Sequence, residues 1–139
     1  MYNELSKTME HKKLLDKVLK ELKRYKFVKA IYIFGSYAQK KNTPVSDIDI
    51  CIIDDVRYSS KSRRKVYLYS ENKFDISLFS DLPLQIRYEV FKGKCVSVTD
   101  KNYIAKLKEV ILREYFDMLP VWRENLILRK ERGEKVLSI

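Results

Sequence analysis

The stretch from residue 31 to residue 53 constrains this chain more than any other part of it. An apolar run ends at Gly35-Ser36, and ten residues later Asp47-Ile48-Asp49 opens a second apolar run. Short runs rich in Ile, Tyr and Phe predict β-strands. The stretch therefore predicts a strand, a tight turn, a short helix over 36–41 and a second strand with two carboxylates at its start.

Hydrophobic periodicity and breaker residues predict the other elements. We expect strands at 27–34, 45–53, 64–70, 73–79 and 94–98, and helices at 5–25, 83–92 and 100–118. Residues 56–63 predict a basic loop, and Pro120 is expected to kink or restart the last helix. The short spacing between 64 and 80 favours a mixed sheet, so the predicted class is α+β, with the sheet flanked by α-helices.

Size and charge narrow the functional classes. The chain has 139 residues, which predicts one domain over 1–139, with 120–139 as a C-terminal helical extension. Its 29 Lys and Arg against 19 Asp and Glu give a net charge of +10, which favours an anionic partner such as a nucleotide, a nucleic acid or an acidic protein. No apolar stretch approaches the ~20 residues that span a bilayer, and the N-terminus lacks a signal-peptide core. We therefore expect a cytoplasmic protein that does not bind membranes.

The paired carboxylates predict a metal site. In a strand, residues i and i+2 point to the same side, so Asp47 and Asp49 stand together, and Cys51 and Ile53 continue their face. Two anions this close repel each other. A hard divalent cation between them removes that cost, and Mg²⁺ prefers such oxygen ligands.

A third carboxylate follows in the predicted strand 73–79, where Asp75 shares a face with Ser77 and Phe79. If this strand lies beside 45–53, Asp75 joins the pair. Three carboxylates can hold one or two metal ions for in-line phosphoryl or nucleotidyl transfer.

Gly35-Ser36 supplies the complementary half of the site. Glycine allows a tight turn and a close approach of the backbone to a ligand. The start of the following helix presents free N–H groups to a phosphate, and Ser36 adds a hydroxyl. A phosphate anchor beside a metal clamp predicts a nucleoside triphosphate site.

The pattern Gly35-Ser36, ten residues, Asp47-Ile48-Asp49 resembles the signature of the DNA polymerase β-like nucleotidyltransferase superfamily. The short chain resembles its minimal nucleotidyltransferase branch. The resemblance implies a nucleotidyltransferase fold with catalytic, metal-binding aspartates at Asp47, Asp49 and Asp75, and nucleotide binding at Gly35 and Ser36. Members often carry glycine where this chain has Lys40, a side chain that either strains the turn or itself contacts a phosphate.

The resemblance also implies a function. Many such small proteins are antitoxins that pair with a HEPN-domain RNase toxin and transfer AMP from ATP to one of its tyrosines. The implied cofactors are two Mg²⁺ ions, with ATP as substrate, and the implied assembly is a hetero-oligomer. Two alternatives stay open: a non-catalytic antitoxin that neutralises its partner by binding, and nucleotidyl transfer to a small molecule or RNA. RNA is a possible partner but is not favoured.

Overall fold

A computed structural model describes residues 2–35, 48–70 and 73–133, with side chains from residue 12 onward. The strands are β1 (Val28–Phe34), β2 (Ile48–Asp54), β3 (Phe74–Leu78) and β4 (Lys94–Val98). The α-helices are α1 (Tyr2–Leu22), α2 (Ser60–Arg63), α3 (Leu84–Phe91) and α4 (Lys101–Glu131), and 3-10 helices span Arg64–Tyr69 and Phe79–Asp81. These bounds confirm most of the predicted elements.

The four strands form one mixed sheet in the order β3-β2-β1-β4. β1 runs antiparallel to β2 and to β4, whereas β2 and β3 are parallel. Helices cover both faces, so the predicted α+β class with a mixed sheet flanked by α-helices is confirmed. No described helix is both long and apolar enough to cross a membrane.

Side-chain alternation along the strands divides the core between the two faces of the sheet. On the first face, which we call the α1 face, α1 and the 3-10 helix pack on the sheet through Leu15, Val18, Leu19, Leu22 and Val66, against Ile31, Ile33, Ile50, Ile52, Phe74 and Ile76. On the second, the α4 face, α3 and α4 contribute Val90, Ile104 and Ile111, against Ala30, Tyr32, Cys51, Ile53 and Phe79. The period of 3.6 residues in α1 and of two in β2 explains this division.

The segment 60–69 is helical, so the predicted basic loop over 56–63 is confirmed only for 56–59, and the predicted strand over 64–70 is wrong. Ser59 caps α2 by accepting a hydrogen bond from the Ser62 N–H at 3.2 Å. The 3-10 helix buries only Val66, and it places polar groups along the outer edge of β3. The Leu78 N–H donates to the Tyr67 hydroxyl at 3.2 Å, and the Ile76 N–H donates to Ser70 Oγ at 3.2 Å. These side chains satisfy the edge that another strand would otherwise occupy.

Residues 57–73 carry six Lys and Arg against one Glu, and several of these side chains bind acidic groups of the chain itself. Arg63 Nη1 lies 2.7 Å from Asp54 Oδ2, and Arg57 Nη2 lies 2.7 Å from Asp55 Oδ2. Both carboxylates are buried at the end of β2. The net positive charge favoured an external anionic partner, whereas the structure uses these two arginines to neutralise two internal carboxylates.

The buried Asp55 makes stability depend on pH. The hydrogen bonds from Arg57 hold the pKa of this carboxyl at about 2, below its usual value near 3.8. A carboxylate with a depressed folded-state pKa stabilises the protein above its unfolded pKa, and this contribution is lost as the pH falls through the folded value. We expect the difference in unfolding free energy between the wild type and Asp55→Asn to shrink from pH 6 to pH 2. Urea titrations at both pH values measure it, and a difference that stays constant would contradict the assignment.

The helix α4 runs through Pro120 without a break, so the predicted restart is wrong. Proline removes one backbone donor and costs about 3 kcal/mol in a helix interior, but the helix continues beyond it to Glu131. Asp100 caps the helix as predicted, accepting from the Tyr103 N–H at 3.0 Å. Trp122 contacts Tyr115, with ring centroids 5.3 Å apart, and Tyr115 stacks on Tyr88 at 3.7 Å. Trp122 therefore packs toward α3 indirectly, through the ring of Tyr115.

Candidate active site

Two of the three predicted carboxylates are neighbours in the sheet. In the parallel pair of β2 and β3, Asp49 stands directly opposite Asp75. Asp49 lies two and four residues before Cys51 and Ile53, so it shares their α4 face. Phe74 and Ile76, on either side of Asp75, belong to the α1 face, so Asp75 points to the opposite face. Both carboxylates therefore project from the α4 face, on strands about 4.8 Å apart. Asp49 is half-buried and Asp75 is exposed, so the pair forms one acidic site open to solvent.

The turn after β1 closes directly onto Asp49. Gly35 follows the last residue of β1, and Phe34 pairs with Asp49 in the antiparallel register. Gly35 has φ +76°, and a Cβ added to it would lie 2.5 Å from Asp49 Oδ2. Only glycine adopts this backbone conformation without strain. It also leaves the space that the carboxylate occupies, which explains why a glycine stands at this position of the predicted phosphate anchor Gly35-Ser36.

We expect Gly35→Ala to lower the transfer activity proposed below by about tenfold or more, because small misplacements of reacting groups are costly. Gly133→Ala is the matched control. Gly133 has a similar φ of +74°, but nothing lies within 4 Å of its added Cβ. Both variants suffer the same backbone strain, and only Gly35→Ala displaces the carboxylate. Initial rates of both variants measure the difference, and equal rates would show that the contact with Asp49 has no effect.

A second glycine fixes the backbone next to this turn. A Cβ on Gly93 would collide with the Ile33 carbonyl oxygen and would lie 3.0 Å from the Phe34 Cα. The turn between α3 and β4 therefore presses on the end of β1 that leads to Gly35. Gly93 was not among the predicted site residues; its only signal in the sequence is that it separates a predicted helix from a predicted strand.

The hydroxyl of Tyr32, a buried residue of β1, is not a candidate base for the site. Tyr32 lies on the α4 face of β1, against Phe91 with ring centroids 5.5 Å apart. Burial raises the pKa of its hydroxyl to about 12. Tyr32 therefore stays protonated at neutral pH and does not serve as a base.

The remaining predicted site residues, Ser36, Lys40 and Asp47, lie outside the described residues, as does the predicted helix over 36–41. Within the described part of the chain, no group of three or more His, Cys, Asp or Glu side chains comes together. The predicted three-carboxylate set is thus represented here by Asp49 and Asp75. Its third member, Asp47, and the roles of all three remain predictions.

Comparison with known protein families gives a match over the part of the chain that contains these residues. The family model "Polymerase beta, Nucleotidyltransferase" matches residues 16–102, which include both carboxylates and Gly35. The chain belongs to this nucleotidyltransferase family. The resemblance drawn from Gly35-Ser36 and Asp47-Ile48-Asp49 is therefore confirmed at the level of the family.

Relatives in Methanocaldococcus jannaschii extend this assignment. "Putative protein adenylyltransferase MJ1547" is 34% identical over 94 residues, which cover 68% of this chain and 69% of that protein. "Putative protein adenylyltransferase MJ0126" is 56% identical over 43 residues, which cover 31% of this chain and 44% of that protein.

Solved structures share the fold at low sequence identity. A chain from a crystal structure of a toxin–antitoxin with AMP-PNP has a TM-score of 0.52 and 19% identity, covering 86% of this chain and 92% of its own length. A nucleotidyltransferase structure from Sulfolobus solfataricus has the same TM-score and identity, covering 70% of this chain and 89% of its own length. At this identity the likeness establishes the nucleotidyltransferase fold, as the sequence predicted.

Proposed function

We propose that this nucleotidyltransferase is a Mg²⁺-dependent protein adenylyltransferase that acts as an antitoxin. In this proposal it transfers AMP from ATP to a tyrosine of a cognate HEPN-domain RNase toxin. The observation that carries the proposal is the register of Asp49 against Asp75 on one face of the sheet, beside the Gly35 turn. The names of the two M. jannaschii relatives support protein as the acceptor. A toxin–antitoxin chain among the fold neighbours supports the pairing.

The donor set fits the proposed metal. Asp49 and Asp75 offer hard carboxylate oxygens, which Mg²⁺ prefers, and Asp47 is the predicted third ligand. Glycine at residue 35 lets Asp49 Oδ2 lie against the turn, where a Cβ would be 2.5 Å from it. Bound Mg²⁺ neutralises charge on the triphosphate and on the leaving pyrophosphate.

The residues of the chain have distinct roles in the proposed transfer. The backbone at Gly35 and Ser36 holds the β- and γ-phosphates, with Lys40 as a further phosphate contact. Asp75, the more exposed carboxylate, accepts the proton of the acceptor hydroxyl. The hydroxyl oxygen bonds to the α-phosphorus, the bond from that phosphorus to the bridging oxygen breaks, and pyrophosphate leaves. The products are AMP-protein and pyrophosphate.

The test is transfer of label from α-³²P-ATP to the folded product of the neighbouring gene, with Mg²⁺ and with EDTA. We expect Mg²⁺-dependent labelling of one tyrosine-bearing peptide by mass spectrometry. The γ-³²P-labelled nucleotide should leave the partner unlabelled, because pyrophosphate carries that phosphorus away. An unlabelled partner with the α-label, under conditions where the two proteins form a complex, contradicts catalysis.

A second candidate is neutralisation by binding alone, and the end of α4 favours it. Val121, Ile127 and Leu128 expose 45%, 58% and 46% of their surface, and exposed apolar residues that cluster often mark a protein interface. Under this alternative, a variant with Asp47→Ala and Asp49→Ala still neutralises the partner, whereas removal of residues 120–139 abolishes neutralisation. Catalytic neutralisation requires the opposite outcome for the aspartate variant. Growth of cells that express the partner distinguishes the two.

A further inference from the structure

The positive charge of this protein is concentrated on one side of the sheet. Between residues 12 and 26 there are seven Lys and Arg against two acidic residues. The segment 60–69 adds four Lys and Arg and no acidic residue; Arg63 and Arg64 pair with Asp54 and Asp81, which leaves Lys61 and Lys65. Both segments pack on the α1 face. We call the outer surface that they form the basic layer.

The outermost line of α1 is made of lysine. Its buried residues Leu15, Val18, Leu19 and Leu22 lie along one side of the helix. At 100° per residue, Lys13, Lys17 and Lys20 fall on the opposite side, and all three are exposed. Lys61 and Lys65 of the neighbouring segment are exposed as well. None of these five lysines takes part in an ion pair within the described part of the chain, so their charge is available to a partner.

The basic layer is not the surface that handles the nucleotide. Asp49 and Asp75 project from the α4 face, and the sheet separates them from α1. The charge of the α3–α4 side is more nearly balanced, because α4 carries acidic residues among its cations. The excess charge therefore needs an explanation other than ATP binding.

We propose that the basic layer binds the phosphate backbone of a double-stranded nucleic acid. Exposed lysines spaced along a helix neutralise successive phosphates and release counterions. Stacking on single-stranded bases needs exposed aromatic faces, but Tyr25 and Tyr69 are half-buried against the core and against each other, with ring centroids 6.3 Å apart. Backbone contacts without base stacking favour a duplex over a single strand.

The same surface does not suit a membrane or an acidic protein. Membrane-binding helices insert an exposed apolar face, whereas the apolar stripe of α1 is buried in the core. Stable protein partners need a cluster of aromatic or apolar anchors. The solvent-facing line of α1 offers lysines, and the segment 60–69 exposes one large apolar side chain, Leu68, rather than a cluster. The proposal stands apart from the proposed transferase function, since it requires neither Asp49 nor a HEPN partner.

Fluorescence anisotropy with a 20-bp RNA duplex, and with a DNA duplex of the same sequence, tests the proposal over a series of salt concentrations. The variant Lys13→Gln, Lys17→Gln, Lys20→Gln removes three charges from the basic layer. The matched control, Lys101→Gln, Lys106→Gln, Lys130→Gln, removes three exposed charges from α4. Melting curves by circular dichroism check that both variants fold.

We expect the wild type to bind, and the α1 variant to bind about tenfold more weakly or worse, while the α4 control binds like the wild type. The slope of log K against log salt should fall by about three in the α1 variant alone, because each lost phosphate contact removes roughly 0.9 from it. The RNA and DNA arms tell which duplex is preferred. Equal weakening in both variants would reduce the effect to net charge and overturn the proposal. So would the absence of duplex binding at low salt, or binding to anionic vesicles alone.

Discussion

Asp49→Asn should lower the rate of AMP transfer about 100-fold or more while leaving the fold intact. Asparagine keeps the shape that fits beside Gly35, where the added Cβ would meet Asp49 Oδ2, but it removes the negative charge. A carboxylate that holds Mg²⁺ supplies several kcal/mol of transition-state stabilisation, and each 1.36 kcal/mol is tenfold in rate. Single-turnover labelling of the partner with α-³²P-ATP measures the loss.

Two controls sharpen this experiment. Glu109→Gln makes the same chemical change in an exposed ion pair of α4, 2.9 Å from Arg113, and should leave the rate unchanged. The double variant Asp49→Asn, Asp75→Asn should be little slower than the slower single variant, because groups that act as a unit are not additive. Full activity in Asp49→Asn, or strictly multiplicative losses in the double variant, would contradict a shared site.

Asp54→Ala should cost about 3–5 kcal/mol of unfolding free energy, the typical cost of breaking a buried ion pair. The Asp54 side chain is fully buried. It accepts hydrogen bonds from Ser80 Oγ at 2.6 Å and from the Ser80 N–H at 3.1 Å. Its other partner, Arg63 Nη1, is 2.7 Å away. Removing the carboxylate leaves the largely buried Arg63 without its counter-charge, so the penalty exceeds the value of the pair itself.

Urea unfolding measures this loss, and two further variants locate its origin. Glu109→Ala removes an exposed ion pair and should cost at most about 1 kcal/mol. Replacing both Asp54 and Arg63 by apolar residues should recover part of the loss, because no unpaired charge remains. If the double replacement is as unstable as Asp54→Ala, the hydrogen bonds to Ser80 account for the effect.

The strands that carry the site could be predicted because the alternation of residue types along each strand is a local pattern in the sequence. The alternation of Ile with Asp and Cys in β2 determines which of the two faces of the sheet each residue lies on. The same alternation in β3 placed Asp75 on the face of Asp49. What the sequence could only assume was that the two strands are neighbours, since parallel pairing joins residues 26 positions apart along the chain.

Tertiary contacts decided the elements that the sequence missed. Val66 and Leu68 alternate with Tyr67 and Tyr69 as in a strand, but Leu68 is exposed and only Val66 is buried. The Tyr67 hydroxyl accepts from the Leu78 N–H and donates to Asp81. These contacts need a 3-10 helix. The internal ion pairs of Arg63 and Arg64 could not be predicted, because their partners, Asp54 and Asp81, are distant along the chain.

The parallel register of β2 and β3 couples correct folding to activity. A one-residue slip of β3 would turn Asp75 toward the α1 face and expose Phe74 and Ile76, which are among the most buried residues of the core. The mispaired chain would lose its hydrophobic packing and its second carboxylate in the same step. A mispaired molecule of this kind would lack the site, so measured transferase activity would report the fraction of molecules in which β2 and β3 pair in the native register.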